Sequence, residues 1–529
     1  MSELFSGREK EAVIEIFRTL DLFRVMCMSK YDVAEVVHLR AYYARCGVAE
    51  ALVPFMEKTH AGPLGVPWGK SNDAVSALIE SYLVECGKIV DLLRLVRLSA
   101  HGVVSIFVSH RYIEISAMSD VREQFAPRLF HVNDQGKLTD VSLPSEAVKN
   151  RMREYVRPDP SYRIAYDSDE EVVLQHKQLA RRFRSIFPGA EAIPDGCLIG
   201  GRPFSEWREE CEGALGRILA HINFCLLLCE ARPKTKLRDV LTSFCSKADA
   251  VAVMEDTGQN LAGISEVLKA LTLEPAHLAD WASIYETPAS QYVSLDESFV
   301  LISCSGMLGN PYYSMFRYLR SCFRKDWDRA VDARENVFRK EIGLLFPSSR
   351  YTVPDHGYKL RRIDGSHITD IDAIVCDRMT GSIALVQLKW HDPYGRSIAE
   401  RESRRKNLAR ASKWVENVER WVGGRTCAEI SAELCLPISA SQHQPEILVV
   451  ARYAAQFVKD DRKSEGATWI SWPELNYLLE FTKEDPIREL RILSVEALAN
   501  EDCVSPYTTT FKFGDLDVTL TVGDSCAGG

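Results

Sequence analysis

Asp370-Ile371-Asp372-Ala373-Ile374-Val375-Cys376, then Asp377-Arg378-Met379-Thr380-Gly381-Ser382, then Ile383-Ala384-Leu385-Val386-Gln387-Leu388-Lys389-Trp390: the reading of this chain turns on this stretch. Two apolar runs flank a polar segment that carries the Gly a tight turn needs, which is the pattern of a β-hairpin. Pairing Cys376 with Ile383 places Asp372 opposite Gln387, where facing Cβ atoms lie about 5 Å apart. Gln387 and Lys389 are two residues apart and share one face, while Val386 and Leu388 point the other way, into a core. The shared face then holds an acid, an amide and an amine. Cores do not call for that set on an otherwise apolar hairpin, because burying it is costly.

The set suits hydrolysis of a phosphodiester. That reaction needs a polarised phosphate, an activated water and charge relief on the leaving oxygen, and a divalent ion on oxygen ligands supplies all of them. Asp372 offers an ionised oxygen, Gln387 a neutral one, and the Leu388 carbonyl another. Lys389 can steer the attacking water or balance phosphate charge. The spacing resembles the PD-(D/E)xK nuclease superfamily, in the variant with Gln at the second acidic position found in Mrr-like restriction endonucleases. The resemblance implies Asp372, Gln387 and Lys389 as the catalytic set and Mg²⁺ (or Mn²⁺) as the cofactor. It implies a core of helix, three-stranded meander, helix and strand, with a further acid often donated by the first helix.

A helix is expected from Phe323 to Phe346, with an apolar stripe of Trp327, Val331, Phe338, Ile342 and Leu345. Glu335 falls in that stripe and is taken as the helix-borne catalytic and metal ligand, whereas Glu341 lies off it and should face water. The family often places a Glu directly after a Phe here; this chain has Phe338-Arg339. A second helix is expected from about Ser397 to Val422. Its first half carries Arg401, Arg404, Arg405 and Lys406, which would track a nucleic-acid backbone. Ile447 to Tyr453 reads as a buried strand, and Tyr351-Thr352-Val353 as the first strand of the core.

Upstream, helical spacing covers Ala12–Cys27, Val33–Cys46, Val48–Glu57, Asn72–Leu98, Ser145–Tyr155, Glu171–Phe187, Phe204–Glu230, Leu237–Met254 and Asn260–Leu273. Val103–Val108 reads as a strand or a buried helix end, and residues 128–143 as a small hairpin. Gly65-Val66-Pro67-Trp68-Gly69-Lys70-Ser71 imitates a phosphate-binding loop, but Leu64 stands where that motif needs Gly. No nucleotide cofactor is expected.

The net charge of −9 over 529 residues provides no global field for nucleic acid, so a binding surface must be a local patch. Fifteen cysteines without CxxC or zinc spacing suit a reducing cytosol. The N-terminus lacks a basic-then-apolar signal, and no run is read as a membrane span, so a cytoplasmic protein without membrane contact is expected. The fold class expected is an α/β C-terminal, restriction-endonuclease-like core, a mixed sheet flanked by helices, over residues 291–529. A mostly α-helical N-terminal region, residues 1–290, would select targets, bind partners or restrain the nuclease. The function expected is divalent-metal-dependent hydrolysis of DNA, in restriction or defence against phage. RNA as substrate stays open, as do an inactive nuclease fold acting as a binding scaffold, a partner protein and a homo-oligomer.

Overall fold

The alternation around Gly381 resolves into two antiparallel strands, Ala373–Asp377 and Ile383–Lys389, in the register Cys376↔Ile383 through Ala373↔Val386. Gly381 adopts φ 71°, a left-handed turn conformation that Gly reaches without a Cβ penalty. The turn is further locked by Asp377, which is fully buried and ion-paired to Arg350 at 2.6 Å. The computed structural model describes residues 1, 3–28, 35–62, 65–102, 104–117, 144–159, 163–185, 188–255, 261–278, 290–362, 364–391, 398–437, 441–453, 455, 466–499, 507–513 and 515–522. They cluster into two units: Met1–Arg94 with Asn133–Ala330, and Leu95–Val132 with Val331–Gly529.

In the second unit the hairpin is the middle of a five-stranded sheet. Tyr351–Thr352 lies antiparallel to Ala373–Asp377; Glu446–Ala451 lies parallel to Ile383–Lys389; Thr468–Ser471 lies parallel beyond it. Both faces are covered. Ile374, Cys376, Ile383, Leu385 and Val449 pack with Leu408, Val415 and Val418 of the helix Ile398–Val422. Ala373, Val375, Val386, Leu388 and Val450 pack with Phe338 and Ile342 of the helix Arg324–Leu345, and with Leu475 and Leu490 from the helices Trp472–Leu479 and Pro486–Ala499. In chain order this mixed α/β sheet takes a helix, the strand Tyr351–Thr352, the hairpin Ala373–Asp377 and Ile383–Lys389, a helix and then the parallel strands; a separate two-stranded hairpin, Tyr358–Arg361 with His367–Ile371, is inserted after the first strand, so the expected three-stranded meander is interrupted. The expected helix and strand bounds here hold to within a few residues. The turn expected between Lys389 and the basic helix lies mostly outside the described residues.

The domain boundary falls after Ala330 rather than near 290. Tyr292–Ser294 and Phe299–Ile302 are buried strands that find backbone partners upstream, in a four-stranded sheet with Ser243–Ser246 and Thr272–Leu273. That sheet also breaks the expected helix Leu237–Met254 into Leu237–Leu241, the strand, and Lys247–Glu255. In the opposite sense, Val104–Ser109 is a strand, and with Tyr112–Ala117 it belongs to the second unit. Leu516–Val522 runs parallel to Tyr112–Ala117, with Ile115 opposite Leu520. The hairpin expected at 128–143 lies outside the described residues.

The first unit is built on long helices. Val33–Cys46 and Val48–Glu57 merge into one helix, Glu35–Thr59, which takes Pro54 in its interior. Where it crosses the helix Asp73–Ser99, Gly47 meets Gly87, and a Cβ on Gly87 would overlap the backbone of Tyr43. Gly87→Ala is therefore expected to cost about 2 kcal/mol through overpacking, against a usual gain for Gly→Ala in a helix, measured by urea unfolding. Phe204–Ala231 is long and apolar enough to cross a membrane by length and composition, which the sequence reading did not find. In the fold, 67% of its most apolar window is buried. The described cysteines are free thiols.

Candidate active site

Asp372 sits one residue before its strand, and its backbone N–H donates to the Val386 carbonyl at 3.1 Å. The register thus carries it opposite Gln387, where the strand Ala373–Asp377 begins. There the Gln387 amide nitrogen donates to Asp372 Oδ2, and the Leu388 N–H donates to the same oxygen at 2.7 Å. With Nε2 so engaged, the Gln387 Oε1 and the Asp372 Oδ1 are the oxygens that these two bonds leave over. Both residues are largely buried, at 6% and 7% exposure.

Burial lifts the Asp372 carboxyl to about 6. The Leu388 N–H opposes the rise, Glu335 adds to it, and Lys389 and Arg339 oppose it. Burial also lowers the Lys389 ammonium below the ordinary lysine value. The neighbouring charges of Asp372 and Glu335 counter that fall, and Arg410 adds to it. Acid and amine therefore lie in each other's field without fully offsetting their desolvation. A divalent cation beside Asp372 would favour the ionised carboxylate. The donors available, one carboxylate, an amide oxygen and a backbone carbonyl, are the hard oxygens that Mg²⁺ accepts alongside water. On that chemistry the residues fit the ion. Among the described residues no group of three or more His, Cys, Asp or Glu is placed to hold a metal, so such a site would lean on neutral oxygens.

Glu335 differs from its expected place. The buried row of its helix steps Ala330, Arg334, Phe338, Ile342, which leaves Glu335 at the edge with 53% of its side chain exposed and ion-paired to Arg339 at 2.8 Å. Its charge still reaches Asp372 and Lys389. Arg339, four residues after Glu335 and thus a ready i,i+4 partner for it, also reaches the hairpin. Its Nε donates to the Asp372 carbonyl, and its terminal nitrogens bond Asn336 and Glu335 at 2.9 and 2.8 Å.

Glu341 does not face water alone, as expected, but pairs with Arg452. The Arg452 guanidinium lies 4.6 Å from the ring centroid of Trp390 and 5.5 Å from those of Phe338 and Trp472. Its backbone N–H donates to the Lys389 carbonyl at 2.7 Å. Arg452 thus braces the strand end that carries Lys389. Arg452→Met is expected to destabilise the protein by about 2 kcal/mol, from lost cation–π stacking and an unpaired Glu341. A double cycle with Glu341→Gln in urea unfolding measures the share that belongs to the pair.

The basic helix is only partly open. Arg401 is buried, Arg404 and Arg405 are half-buried, and Lys406 is exposed. Glu402 engages Arg401 at 3.4 Å and Arg405 at 2.8 Å, and His101 lies 3.2 Å from the same carboxylate. The expected cationic track is therefore reduced, because one acid within the run neutralises part of it. Arg410, exposed and electrostatically coupled to Lys389, is the better-placed cation of this helix. His391, beside the motif, is buried.

Comparison with protein-family models, with curated proteins and with solved structures found no match.

Proposed function

We propose that the second unit is a divalent-metal-dependent nuclease that hydrolyses DNA phosphodiester bonds, with a restriction-endonuclease-like core. The observation that carries this reading is the meeting of Asp372 and Gln387 where the strand Ala373–Asp377 begins, within the field of Lys389. A buried acid lifted to about 6 beside a lysine lowered by burial is an arrangement typical of reaction sites rather than of packing.

Asp372, Gln387 and the Leu388 carbonyl would hold Mg²⁺ or Mn²⁺, with Glu335 at the rim. The ion, when bound, supplies polarisation of the phosphate and a more acidic water. Arg339 fixes the backbone of Asp372, and the Leu388 N–H fixes its carboxylate, so the acid is oriented before substrate arrives. Lys389, held by the strand whose end Arg452 braces, presents an amine toward the attacked phosphate. Arg410 and Lys406 would engage the backbone next to it, with Arg404 and Arg405 as secondary contacts. The first unit would supply target choice, a partner surface or restraint. A role in restriction or defence against phage, and a cytoplasmic setting, follow the resemblance alone.

The test is nicking of supercoiled plasmid by the full chain with Mg²⁺ or Mn²⁺ against the same reaction in EDTA, with duplex DNA, single-stranded DNA and RNA in parallel. Metal-dependent cutting that Lys389→Ala removes supports the reading. Equal cutting by both proteins sinks it.

A second reading has one observation in its favour. Gln387 already satisfies Asp372, and Arg339 already satisfies Glu335, as in a closed polar cluster that only stabilises the hairpin. A nuclease-fold scaffold that binds nucleic acid or protein without cutting would show binding, no cleavage with either metal, and no heat of Mg²⁺ binding in calorimetry.

A further inference from the structure

A pocket of about 240 Å³ opens in the first unit between the helices Glu9–Met28 and Glu35–Thr59. Arg24, His38, Tyr42, Arg45 and Ser305 form its polar lining, and Phe23 contributes to the apolar wall. One terminal nitrogen of Arg24 donates to the Leu308 carbonyl, while its Nε is buried and makes no hydrogen bond. Arg45 lies over the ring of Tyr42, 5.9 Å from guanidinium carbon to centroid. That ring is held in place by its hydroxyl, which donates to Asp91 at 2.9 Å, and by an edge contact with Tyr43.

Among the described residues neither Arg24 nor Arg45 forms an ion pair, and no carboxylate is among the groups that act on Arg24. Burial, and then the like charge of Arg45, lower the Arg24 guanidinium to about 10. Two cations that repel each other across a cavity, with no carboxylate paired to either among the described residues, make a costly arrangement in the free protein. An anion entering the cavity removes that cost. Guanidinium forks match the oxygens of phosphate better than any other side chain does. The aromatic wall suits a planar ring. A cavity this small admits little more than a mononucleotide.

We propose that this pocket binds a phosphate-bearing small molecule of about mononucleotide size, its phosphate on Arg24 and Arg45 and its ring against Tyr42 and Phe23. The proposal concerns the other unit from the hairpin and stands whether or not the chain cuts DNA.

The experiment titrates the full chain with AMP, inorganic pyrophosphate and adenosine in EDTA, so that no metal can bridge phosphate to Asp372. Calorimetry and thermal unfolding are the readouts. AMP is expected to bind saturably and raise the melting temperature, pyrophosphate to compete with it, and adenosine to do neither. Arg45→Ala, at a partly buried position, removes one of the two repelling cations, so it should not lower the ligand-free melting temperature and should weaken AMP about tenfold or more. Should that variant fold poorly, Arg45→Lys, which keeps the charge and loses the fork, is expected to weaken AMP by a smaller factor. Absence of saturable AMP and pyrophosphate binding at millimolar concentration overturns the proposal. So does AMP binding that a folded Arg45 variant leaves unchanged.

Discussion

Lys389→Ala and Asp372→Asn are each expected to lower Mg²⁺-dependent plasmid nicking by about a thousandfold. The two losses have different origins. Lys389 contributes a charge that acts on the phosphate and the attacking water, so its removal should leave the affinity for the ion nearly intact and lower the rate of cutting. Asp372 contributes the one carboxylate among the inner donors, so its removal should abolish Mg²⁺ binding itself. Calorimetry with Mg²⁺ separates the cases: heat persists in Lys389→Ala and disappears in Asp372→Asn. Glu335→Gln, at the exposed rim and already paired to Arg339, should cost far less than either. Equal loss from all three would mean that Glu335 turns inward when the ion is present.

Asp372→Asn is also expected to stabilise the metal-free protein at neutral pH. The folded acid titrates at about 6, above its ordinary 3.8. A value raised by folding means that the protonated form is the favoured one in the native state. Its contribution to stability is complete below about 3.8 and is lost as pH rises through about 6. Above that range the fold carries an ionised, nearly buried carboxylate, at a cost of about 2–3 kcal/mol. The introduced amide keeps an oxygen to accept from Gln387 and Leu388 but no charge to desolvate. In urea unfolding with EDTA, the variant should exceed wild type by about 2–3 kcal/mol near pH 8, and the difference should vanish near pH 4. Mg²⁺ should raise wild-type stability and leave the variant where it was. Its apparent affinity should fall as pH drops below about 6, because the ion then competes with a proton. A variant less stable than wild type at every pH would make Asp372 a structural brace.

The hairpin was legible because alternation at period two has a single solution once Gly381 sets the turn. From there Asp372 must face Gln387, and the Gln387–Asp372 hydrogen bond is that consequence at atomic scale. The helices Arg324–Leu345 and Ile398–Val422 were legible for the same reason at period 3.6. Glu335 was misplaced by that very rule. Its spacing fits the stripe, but Arg334 takes the buried position in the row, and a pattern of apolar residues does not register a buried arginine. Glu402 lies inside the basic run, and its position on the helix lets it engage Arg401 and Arg405 together with His101. That sum of charges depends on where one turn lies against a loop some three hundred residues earlier, which local pattern cannot contain.

Local order alone thus determined the strands, their register and the acid–amide–amine face, because each follows from backbone geometry between near neighbours. Contacts between distant segments decided the rest. The strands Tyr292–Ser294 and Phe299–Ile302 joined the first unit because their backbone partners lie at Ser243–Ser246 and Thr272–Leu273. Tyr112–Ala117 joined the second because Leu516–Val522 completes its ladder. A strand edge is bonded by whatever chain reaches it, and its own residues do not specify which. Likewise, the displaced acidity of Asp372 and the paired cations of Arg24 and Arg45 arise only from burial, a property that no residue has until the chain has closed around it.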